Sequence, residues 1–461
     1  MKSLRDNARA LGDGLAAIRT QFQLPRSFPP DAEAAAESAA RQAFPDHADR
    51  TAIAFVTLDP ASSTDLDQAF VIEPSGSDLI LRYAIADVGA FVPEAGPVDT
   101  EAWKRGQTIY MPDGKISLYP TVLCEGAASL LPDGEKPAII FTVRVATDGA
   151  ARLDGAERGM IRSRAKLGYS TVRPEDLPAG FAELSRRIEA AEDARGASRV
   201  DPPQQQVVEG PDGSFRLQFR PMSAAEQSNA CLSLASNLAV ADALYAQGTG
   251  LFRVMAEPDD WSIRRLRHSA KAFGVDWPKA MSLEERQRSL DPNDPKQAAF
   301  MLAIRRAGIH ASYAPFEAGE RPWHWAMRAT YVHATAPLRR LADRYVTEAA
   351  LAVANGRAVP DWVTSAFDRL PEVMNRAEAK AGQVDSAVLE LAEAVVLAGR
   401  VGETFEGTVT DIDRKRGARI QICDPAIITR IPANGLGIGA AARLRLDEAD
   451  PVRRLTRFSA A

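Results

Sequence analysis

The spacing of apolar positions changes along the chain, and each change predicts a different kind of structure. In the first 45 residues, segments with apolar positions three and four residues apart predict two helices, interrupted at QLPRSFPPD. Asp31 stands where the N-cap of the second helix is expected. From residue 51 the period shortens, and apolar runs between polar turns predict strands at TAIAFVTL, DQAFVIE, LILRYAIADV, AIIFTVRVAT and SFRLQFRP.

Helical spacing returns twice in the middle of the chain. Ala and Leu at three- and four-residue intervals predict long helices at SAAEQSNACLSLASNLAVADALYAQ and APLRRLADRYVTEAALAVAN. After Arg400 short strand-like segments between turns predict a small closed barrel. The pattern therefore predicts an α+β protein in three parts: a helical N-terminal segment at 1–48, a large α+β domain at 49–399 and a barrel at 400–461.

Composition supports this division and limits the partners. A chain of 461 residues with 46% hydrophobic residues can bury the cores of two or three domains. Its 56 basic and 61 acidic residues give a net charge of -5, so a nucleic-acid partner would need a local basic groove. Three distant cysteines indicate neither a disulfide framework nor a structural zinc site. The N-terminus has no continuous apolar segment, which argues against a signal peptide or membrane span and predicts a cytoplasmic location.

Candidate chemistry begins in the polar loop of FVTLDPASSTDLDQAF, residues 55–70, which holds Asp59, Asp65 and Asp67. These carboxylates converge only if the loop folds back, and their repulsion would then favour a cation such as Mg²⁺ or Mn²⁺. A helix-loop-helix calcium site fits poorly, because the sixth position from Asp59 is Thr64 and not Gly. In isolation, such a pattern is more often a solvated turn with side chains that cap backbone groups.

The same loop resembles the metal-binding signature of the ribonuclease II/R family, the RNB catalytic domain, in which four aspartates follow a D-x5-D-x-D-D pattern. The tail from Gly402 resembles the RNA-binding OB barrel, of the ribosomal-protein-S1 type, that follows this domain in the family. Further segments resemble family blocks in the same order: YAIADVGAFV, GQTIYMP, LCEGAASLLPDGEKPAIIFTV, IRSRAKLGYSTV, NACLSLASNLAVADALY, GLFRVMAEP and YVHATAPLRRLADRYV. Ordered matches over about residues 50 to 350 are far more specific than any single block.

The resemblance implies metal-site roles for the loop. Asp59 and Asp65 would hold a first ion, and Asp67 would hold a second ion or orient the water. Gln68 occupies the place of the fourth aspartate. A Gln amide oxygen can ligate Mg²⁺ but carries no charge. The site is therefore either a variant with altered metal binding or one that has lost hydrolysis.

The resemblance also implies residues that contact RNA. Arg339 corresponds to the family arginine at the scissile phosphate, and Tyr110 to the aromatic residue that stacks on the 3′-terminal nucleotide. Arg340 would face either the RNA backbone or an ion pair with Asp343, and His333 would lie close to the phosphate or serve a structural role.

Two residues upstream predict how the arginine block is held. Thr335 is a plausible N-cap and Pro337 a plausible first helical residue, so both arginines are expected in the first turn of a helix, where the dipole favours a phosphate. Basic segments at DRKRGAR and VRRLTR predict a modest RNA-binding face on the barrel, although runs of charge are often only solvated.

Together these matches predict a processive 3′-to-5′ exoribonuclease that converts single-stranded RNA to nucleoside 5′-monophosphates with Mg²⁺ or Mn²⁺. About 50 residues precede the first strand, so we expect a short family member without N-terminal cold-shock domains, monomeric and without a stable protein partner. The alternative is an RNA-binding protein that keeps the fold and has lost hydrolysis through Gln68. A nuclease acting on DNA is a third, weaker hypothesis.

Overall fold

The computed structural model describes residues 2–197, 204–209, 215–220, 222–307, 311–413, 415–422 and 424–461. It has the predicted α+β architecture. The helices are α1 Lys2–Gln21, α2 Pro30–Ala39, α3 Val88–Phe91, α4 Pro97–Arg105, α5 Phe181–Ala194, α6 Ala224–Ala246, α7 Asp260–Phe273, α8 Leu283–Arg288, α9 Pro295–Ala307, α10 Leu341–Ala354, α11 Asp361–Phe367 and α12 Leu370–Leu397. The strands are β1 Ala48–Asp49, β2 Val56–Asp59, β3 Gln68–Ser75, β4 Asp78–Ala86, β5 Ile109–Met111, β6 Gly114–Ile116, β7 Lys136–Val145, β8 Ala151–Ile161, β9 Ala165–Gly168, β10 Gln204–Glu209, β11 Phe215–Arg220, β12 Leu251–Val254, β13 Ser312–Pro315, β14 Trp323–His324, β15 Ala329–Thr330, β16 Thr404–Asp413, β17 Gly417–Ile422, β18 Ile427–Ile431, β19 Ala441–Asp450 and β20 Leu455–Ala460.

A seven-stranded mixed sheet forms the centre, in the order β1-β8-β7-β4-β3-β2-β9. The inner pairs are antiparallel, whereas β1 pairs with β8 and β2 pairs with β9 in parallel. β4 and β7 are buried along nearly their whole length, as their continuous apolar sequences require. Helices α6 and α10 pack against this sheet and share its hydrophobic core. The sheet therefore gives a rigid base to the loop between β2 and β3.

The first helix packs far from its neighbours in sequence. Leu11, Leu15 and Ile18 of α1 form a core with α12 and with the β5–β6 hairpin. Arg19 adds a bidentate ion pair to Asp113 in the turn of that hairpin, with distances of 2.7 and 2.8 Å. The N-terminal helix thus packs against the core-facing side of the hairpin that carries Tyr110 and stabilises it.

The second helix begins two residues earlier than the sequence suggests. Its N-cap is Pro29, and Pro30 is the first helical residue, as the fixed φ of proline favours. The prediction of Asp31 as the N-cap was therefore wrong, and Asp31 lies inside the first turn, where its negative charge suits the helix dipole.

The C-terminal strands form a five-stranded antiparallel sheet in the order β18-β17-β16-β19-β20. Contacts between β18 and β20 nearly close it into a barrel. Its core includes Phe405, Leu444 and Phe458, and it is completed by Ala392 and Leu397 from the end of α12. The barrel is therefore continuous with the long helix that leads into it.

Within the described part of the chain, no helix is long and apolar enough to cross a membrane.

Cys124 and Cys231 are buried thiols, and Cys423 lies outside the described residues.

Candidate active site

The loop between β2 and β3 folds back and brings its acidic side chains to one cavity of about 650 Å³. Ser129 fixes the loop, because its Oγ accepts the Leu66 N–H at 2.9 Å and donates to the Thr64 carbonyl at 2.7 Å. The cavity is lined by residues that include Asp59, Pro60, Ser62, Ser63, Asp65, Asp67, Gln68, Tyr110, Tyr169, Glu226, Asn229, Ser233, Tyr331 and Arg339. Its volume is typical of sites that enclose a small molecule.

Asp67 is the most buried of the three aspartates, with only 4% of its surface exposed. One carboxylate oxygen accepts the Leu338 N–H at 2.7 Å, and the other accepts Arg339 Nε at 3.1 Å. Burial nevertheless raises the pKa of Asp67 to about 7, because these partners and nearby Arg340 offset only part of the lost hydration. Asp67 therefore links the aspartate loop between β2 and β3 directly to the turn that carries Arg339.

Asp59 and Asp65 differ in their partners. Asp59 ends β2, and within the described residues its carboxylate has neither a hydrogen bond nor an ion pair; burial, with a smaller effect of the Asp65 charge, raises its pKa to about 6. Asp65 is fully engaged: Lys115 Nζ lies 2.7 Å from one oxygen, and the Tyr110 hydroxyl donates to the other at 2.7 Å. Of the three aspartates, only Asp59 thus presents to the cavity a carboxylate that no described residue binds.

Gln68 lies beside the aspartates, and both ends of its amide are bonded to protein. Its Nε2 donates to the Thr335 carbonyl at 2.6 Å, and its Oε1 accepts from the Tyr83 hydroxyl and from Ser233 Oγ at 3.3 Å. Coordination of a metal by Gln68 stays a prediction, and it would require one of the bonds to Oε1 to break.

Tyr110 reaches the cavity because the hairpin alternates its side chains. Ile109 and Met111 point into the core behind β5, so Tyr110 between them points outward and is 49% exposed. Burial of its hydroxyl end, next to Asp65, raises the pKa of Tyr110, which stays protonated and can donate. Its exposed ring is available for stacking.

The arginine block precedes a helix and does not lie within one. α10 begins at Leu341 after Arg340, whose backbone is extended, so the prediction of Thr335 as N-cap and Pro337 as the first helical residue was wrong. The reason is tertiary: Asp343 accepts the N–H groups of Thr335 and Ala336 at 3.1 and 2.8 Å, which holds these residues in a separate turn. The helix dipole therefore does not explain how these arginines would meet a phosphate.

The two arginines point to different places. Arg339 lines the cavity with a 44% exposed side chain, and its Nε is bonded to Asp67. Arg340 makes a bidentate pair with buried Asp343, at 2.9 and 2.7 Å, and is not among the described residues that line the cavity. Of the two alternatives for Arg340, the structure thus shows the ion pair with Asp343.

His333 also lies behind the cavity wall. Its Nδ1 is 2.9 Å from the Tyr313 hydroxyl, and its ring meets Tyr313 and Tyr331 edge to face. Burial and the charge of Arg340 hold the pKa of His333 well below its usual range, so the ring is neutral. This environment is typical of a packing residue, and a contact of His333 with RNA stays a prediction.

The donor chemistry of the cavity fits a hard divalent cation. Three carboxylates line it, and burial raises the pKa of both Asp59 and Asp67, so a bound cation would favour their ionised forms. In the part of the chain that the structure describes, however, no three His, Cys, Asp or Glu side chains are arranged to hold an ion. Binding would therefore require Asp65 or Asp67 to share its oxygens with a protein cation.

Sequence reasoning missed Lys115, Tyr83, Ser233 and Thr335 as partners of the site, and all of them contact the aspartate loop or Gln68. For Lys115 a signal existed, because PDG between two apolar segments predicts a tight hairpin that would place Tyr110 and Lys115 opposite each other. Tyr83 is a diagonal neighbour of Gln68 across the β3–β4 hairpin, whereas Ser233 and Thr335 meet Gln68 only through tertiary packing.

Comparison with known proteins identifies the family. The RNB domain profile matches residues 48–355, and the profile of the RNase II-type exonuclease C-terminal S1 domain matches residues 403–461. Exoribonuclease 2 of Serratia proteamaculans (strain 568) is 28% identical over 421 residues, which cover 84% of this chain and 62% of that protein. The chain spans 52% and 59% of two other bacterial relatives.

Solved structures share the fold. Mycoplasma genitalium RNase R in complex with ribose methylated single-stranded RNA superposes with a TM-score of 0.84 at 18% identity, covering 97% of this chain and 77% of that one. Yeast Ssd1, described as a pseudonuclease, gives a TM-score of 0.68 at 18% identity, covering 91% and 53%. With two thirds of its length in the RNB match, the chain belongs to the RNB-domain family of ribonuclease II/R proteins.

Proposed function

We propose that the protein is a 3′-to-5′ exoribonuclease that hydrolyses single-stranded RNA processively to nucleoside 5′-monophosphates with a divalent metal. The observation that carries this proposal is the shared cavity: in a chain of the RNB family, Asp59, Asp65, Asp67 and Arg339 line one space of about 650 Å³. The Tyr110 ring at the same cavity suits a terminal nucleotide of any base, since stacking on an aromatic ring is tolerant of sequence.

Arg339 and Asp67 act together in this proposal. Asp67 holds the guanidinium by Nε, so the two terminal amino groups of Arg339 can face a phosphate. A fixed positive charge aimed at a non-bridging oxygen stabilises the charge that develops as the phosphodiester is attacked. The Asp67–Arg339 pair thus positions the substrate, whether or not Asp67 also contacts an ion.

Asp59, Asp65 and Asp67 are the residues that would hold Mg²⁺ or Mn²⁺. When bound, such an ion supplies a water of lowered pKa and neutralises charge on the departing oxygen. The protein side chains meanwhile fix the phosphate through Arg339 and the terminal nucleotide through Tyr110.

The barrel and the other partners follow from the same proposal. Mycoplasma genitalium RNase R has been solved with single-stranded RNA, and the C-terminal barrel here would guide the same class of ligand through its basic strand residues, such as Arg419 and Arg430. We propose that the enzyme is a monomer in the cytoplasm, where its RNA substrates are present.

One observation favours a second candidate, an RNA-binding protein without hydrolysis. Two of the three carboxylates already carry a protein cation, Lys115 on Asp65 and Arg339 on Asp67. By the resemblance, Gln68 would also stand in the place of a fourth carboxylate. Yeast Ssd1 has a similar fold and is described as a pseudonuclease.

The test uses the purified chain with 5′-labelled single-stranded RNA and Mg²⁺ or Mn²⁺, with and without chelator. Only when metal is present do we expect full-length RNA to be converted to a short 5′-labelled end product with few intermediates, and nucleoside 5′-monophosphates to be released from the unlabelled 3′ side. Asp59→Asn is the sharpest variant, because no described residue bonds to the Asp59 carboxylate and would lose a partner. It should lower the rate at least about 100-fold, since a ligand carboxylate contributes several kcal/mol to metal catalysis, and leave RNA binding intact.

Asp46→Asn, in an exposed turn, is the matched control and should keep full activity. Metal-independent cleavage, or full activity in Asp59→Asn, would contradict the proposal. RNA binding without any mononucleotide release would support the second candidate, and parallel DNA substrates test for a nuclease of different specificity.

A further inference from the structure

Lys115 contacts Asp65, one of the carboxylates of the candidate metal site. β5 and β6 pair Tyr110 with Lys115 across the hairpin, so the two side chains lie on one face. Both contact the same group: the Tyr110 hydroxyl donates to Asp65 Oδ2 and Lys115 Nζ to Asp65 Oδ1, each at 2.7 Å. Asp65 is therefore bound through both oxygens by one hairpin.

This contact differs from a surface ion pair. The side chains of Lys115 and Asp65 are only 17% and 8% exposed, and Lys115 also reaches Glu125 Oε1 at 3.1 Å and Thr64 Oγ1 at 3.3 Å. In such a partly dry position the attraction between opposite charges is several times stronger than in water. The hairpin cannot easily move away, because Ile109 and Ile116 pack into the core with α1 and α12.

A divalent cation that binds Asp65 would compete with Lys115 for this carboxylate. Asp59 offers a carboxylate that no described residue binds, but a single monodentate ligand holds Mg²⁺ or Mn²⁺ weakly, and Asp65 is the next carboxylate in the loop. The ammonium of Lys115 supplies one positive charge to the same cluster and lowers its attraction for a second cation.

We propose that Lys115 is a positioning residue that holds Asp65 in place and competes with the divalent metal for it, so that it sets the metal requirement of the site. This inference rests on the proposed function for its catalytic meaning, but metal binding can be measured without catalysis. Glu125 counteracts Lys115, because its carboxylate also contacts the ammonium group and offsets part of the positive charge that acts on Asp65.

The experiment measures Mn²⁺ binding to the RNA-free protein by electron paramagnetic resonance at pH 8, with Asp59→Asn to identify the signal from this site. Lys115→Met keeps most of the aliphatic stem and removes the charge. We expect it to bind Mn²⁺ about 10-fold more tightly, equivalent to removal of one charge contact at intermediate dielectric, even if the variant melts at a lower temperature. Lys115→Arg keeps the charge and should stay near the wild-type affinity.

Lys166→Met controls for overall charge. Lys166 is also close enough to Asp59 to influence it, but its Nζ donates to the Ala61 carbonyl and not to a carboxylate. A general effect of charge would tighten Mn²⁺ binding equally in Lys166→Met and Lys115→Met and would overturn the inference. Unchanged or weaker binding in Lys115→Met would do the same.

Glu125→Gln gives the opposite prediction and remains decisive if Lys115→Met does not fold. It leaves Lys115 to Asp65, so Mn²⁺ binding should weaken by about 3-fold or more, and by more than in Glu226→Gln, which removes a carboxylate of the same cavity that does not contact Lys115; an unchanged or tighter affinity, or an equal loss in Glu226→Gln, overturns the inference. The proposed function fails separately: a wild-type protein that binds Mn²⁺ as expected but releases no mononucleotides contradicts the nuclease and leaves the role of Lys115 intact.

Discussion

At the scale of single residues, Gln68 shows how an amide suits the place that the four-aspartate pattern gives to a carboxylate. The Thr335 carbonyl needs a donor, and the Tyr83 hydroxyl and Ser233 need an acceptor; Gln68 supplies both with one side chain. A carboxylate at this position would place one of its oxygens against the Thr335 carbonyl oxygen, and both atoms are hydrogen-bond acceptors. The amide is therefore integrated into the wall of the cavity, and it joins β3 to the turn that carries Arg339.

Gln68→Glu tests this integration. At pH 8 we expect the free energy of unfolding to fall by about 1–3 kcal/mol, because a partly buried acceptor then faces a carbonyl without a proton between them. Repulsion and burial would raise the folded-state pKa of the introduced carboxyl group above its unfolded value. The loss should therefore be small below the unfolded pKa and grow as pH rises through the folded one.

Urea denaturation at pH 5 and pH 8 measures both effects. The exposed Gln383→Glu on α12 is the matched control and should stay within about 0.5 kcal/mol of wild type. Equal stability of Gln68→Glu and wild type at pH 8 would mean that the amide donor at position 68 is unimportant.

At the scale of secondary-structure elements, the spacing of apolar residues predicted the strands and helices whose positions depend on local periodicity. The strands β3, β4 and β7 and helix α6 lie where the apolar pattern placed them. The start of α10 could not be predicted from its sequence. The Asp343 carboxylate accepts the backbone N–H groups of the preceding turn, and no local sequence pattern reveals these hydrogen bonds. The shared cavity of Asp59, Asp65 and Asp67 was predictable from the motif, whereas the pairing of Asp65 with Lys115 depends on how α1 docks the hairpin.

The contact between α12 and the strands near the barrel contains a buried acid that should make stability depend on pH. Glu393 accepts Gln205 Nε2 at 2.8 Å, yet burial raises its pKa to about 7. Because the folded pKa lies above the unfolded value of about 4.3, this group stabilises the fold less and less as pH rises from there to about 7. Ionised Glu393 is thus a cost at pH 8.

Glu393→Gln removes that titration and keeps a carbonyl oxygen for Gln205. Relative to wild type, the variant should gain roughly 1–3 kcal/mol at pH 8 and nothing near pH 4. Thermal melts across this range measure the difference. Glu372→Gln, at an exposed position near the start of the same helix, is the control, and a gain independent of pH would contradict the assignment to Glu393.

At the scale of the whole molecule, α12 connects three cores. Leu370 near its start belongs to the central core, Leu391 packs with α1, and Leu397 at its end completes the core of the barrel. A boundary at residue 400 therefore separates two sequence patterns but not two independent cores. The barrel and the central domain should unfold together, because a single rigid helix supplies apolar side chains to both.

Leu397→Ala tests this coupling. Removal of a fully buried leucine should cost about 2–5 kcal/mol, and if the cores are coupled, amide exchange should accelerate both in barrel strands such as β16 and in the sheet strand β7. Val401→Ala, four residues later and 54% exposed, should leave exchange unchanged in both. Faster exchange confined to the barrel strands in Leu397→Ala would show instead that the barrel opens alone and that the central domain folds independently of it.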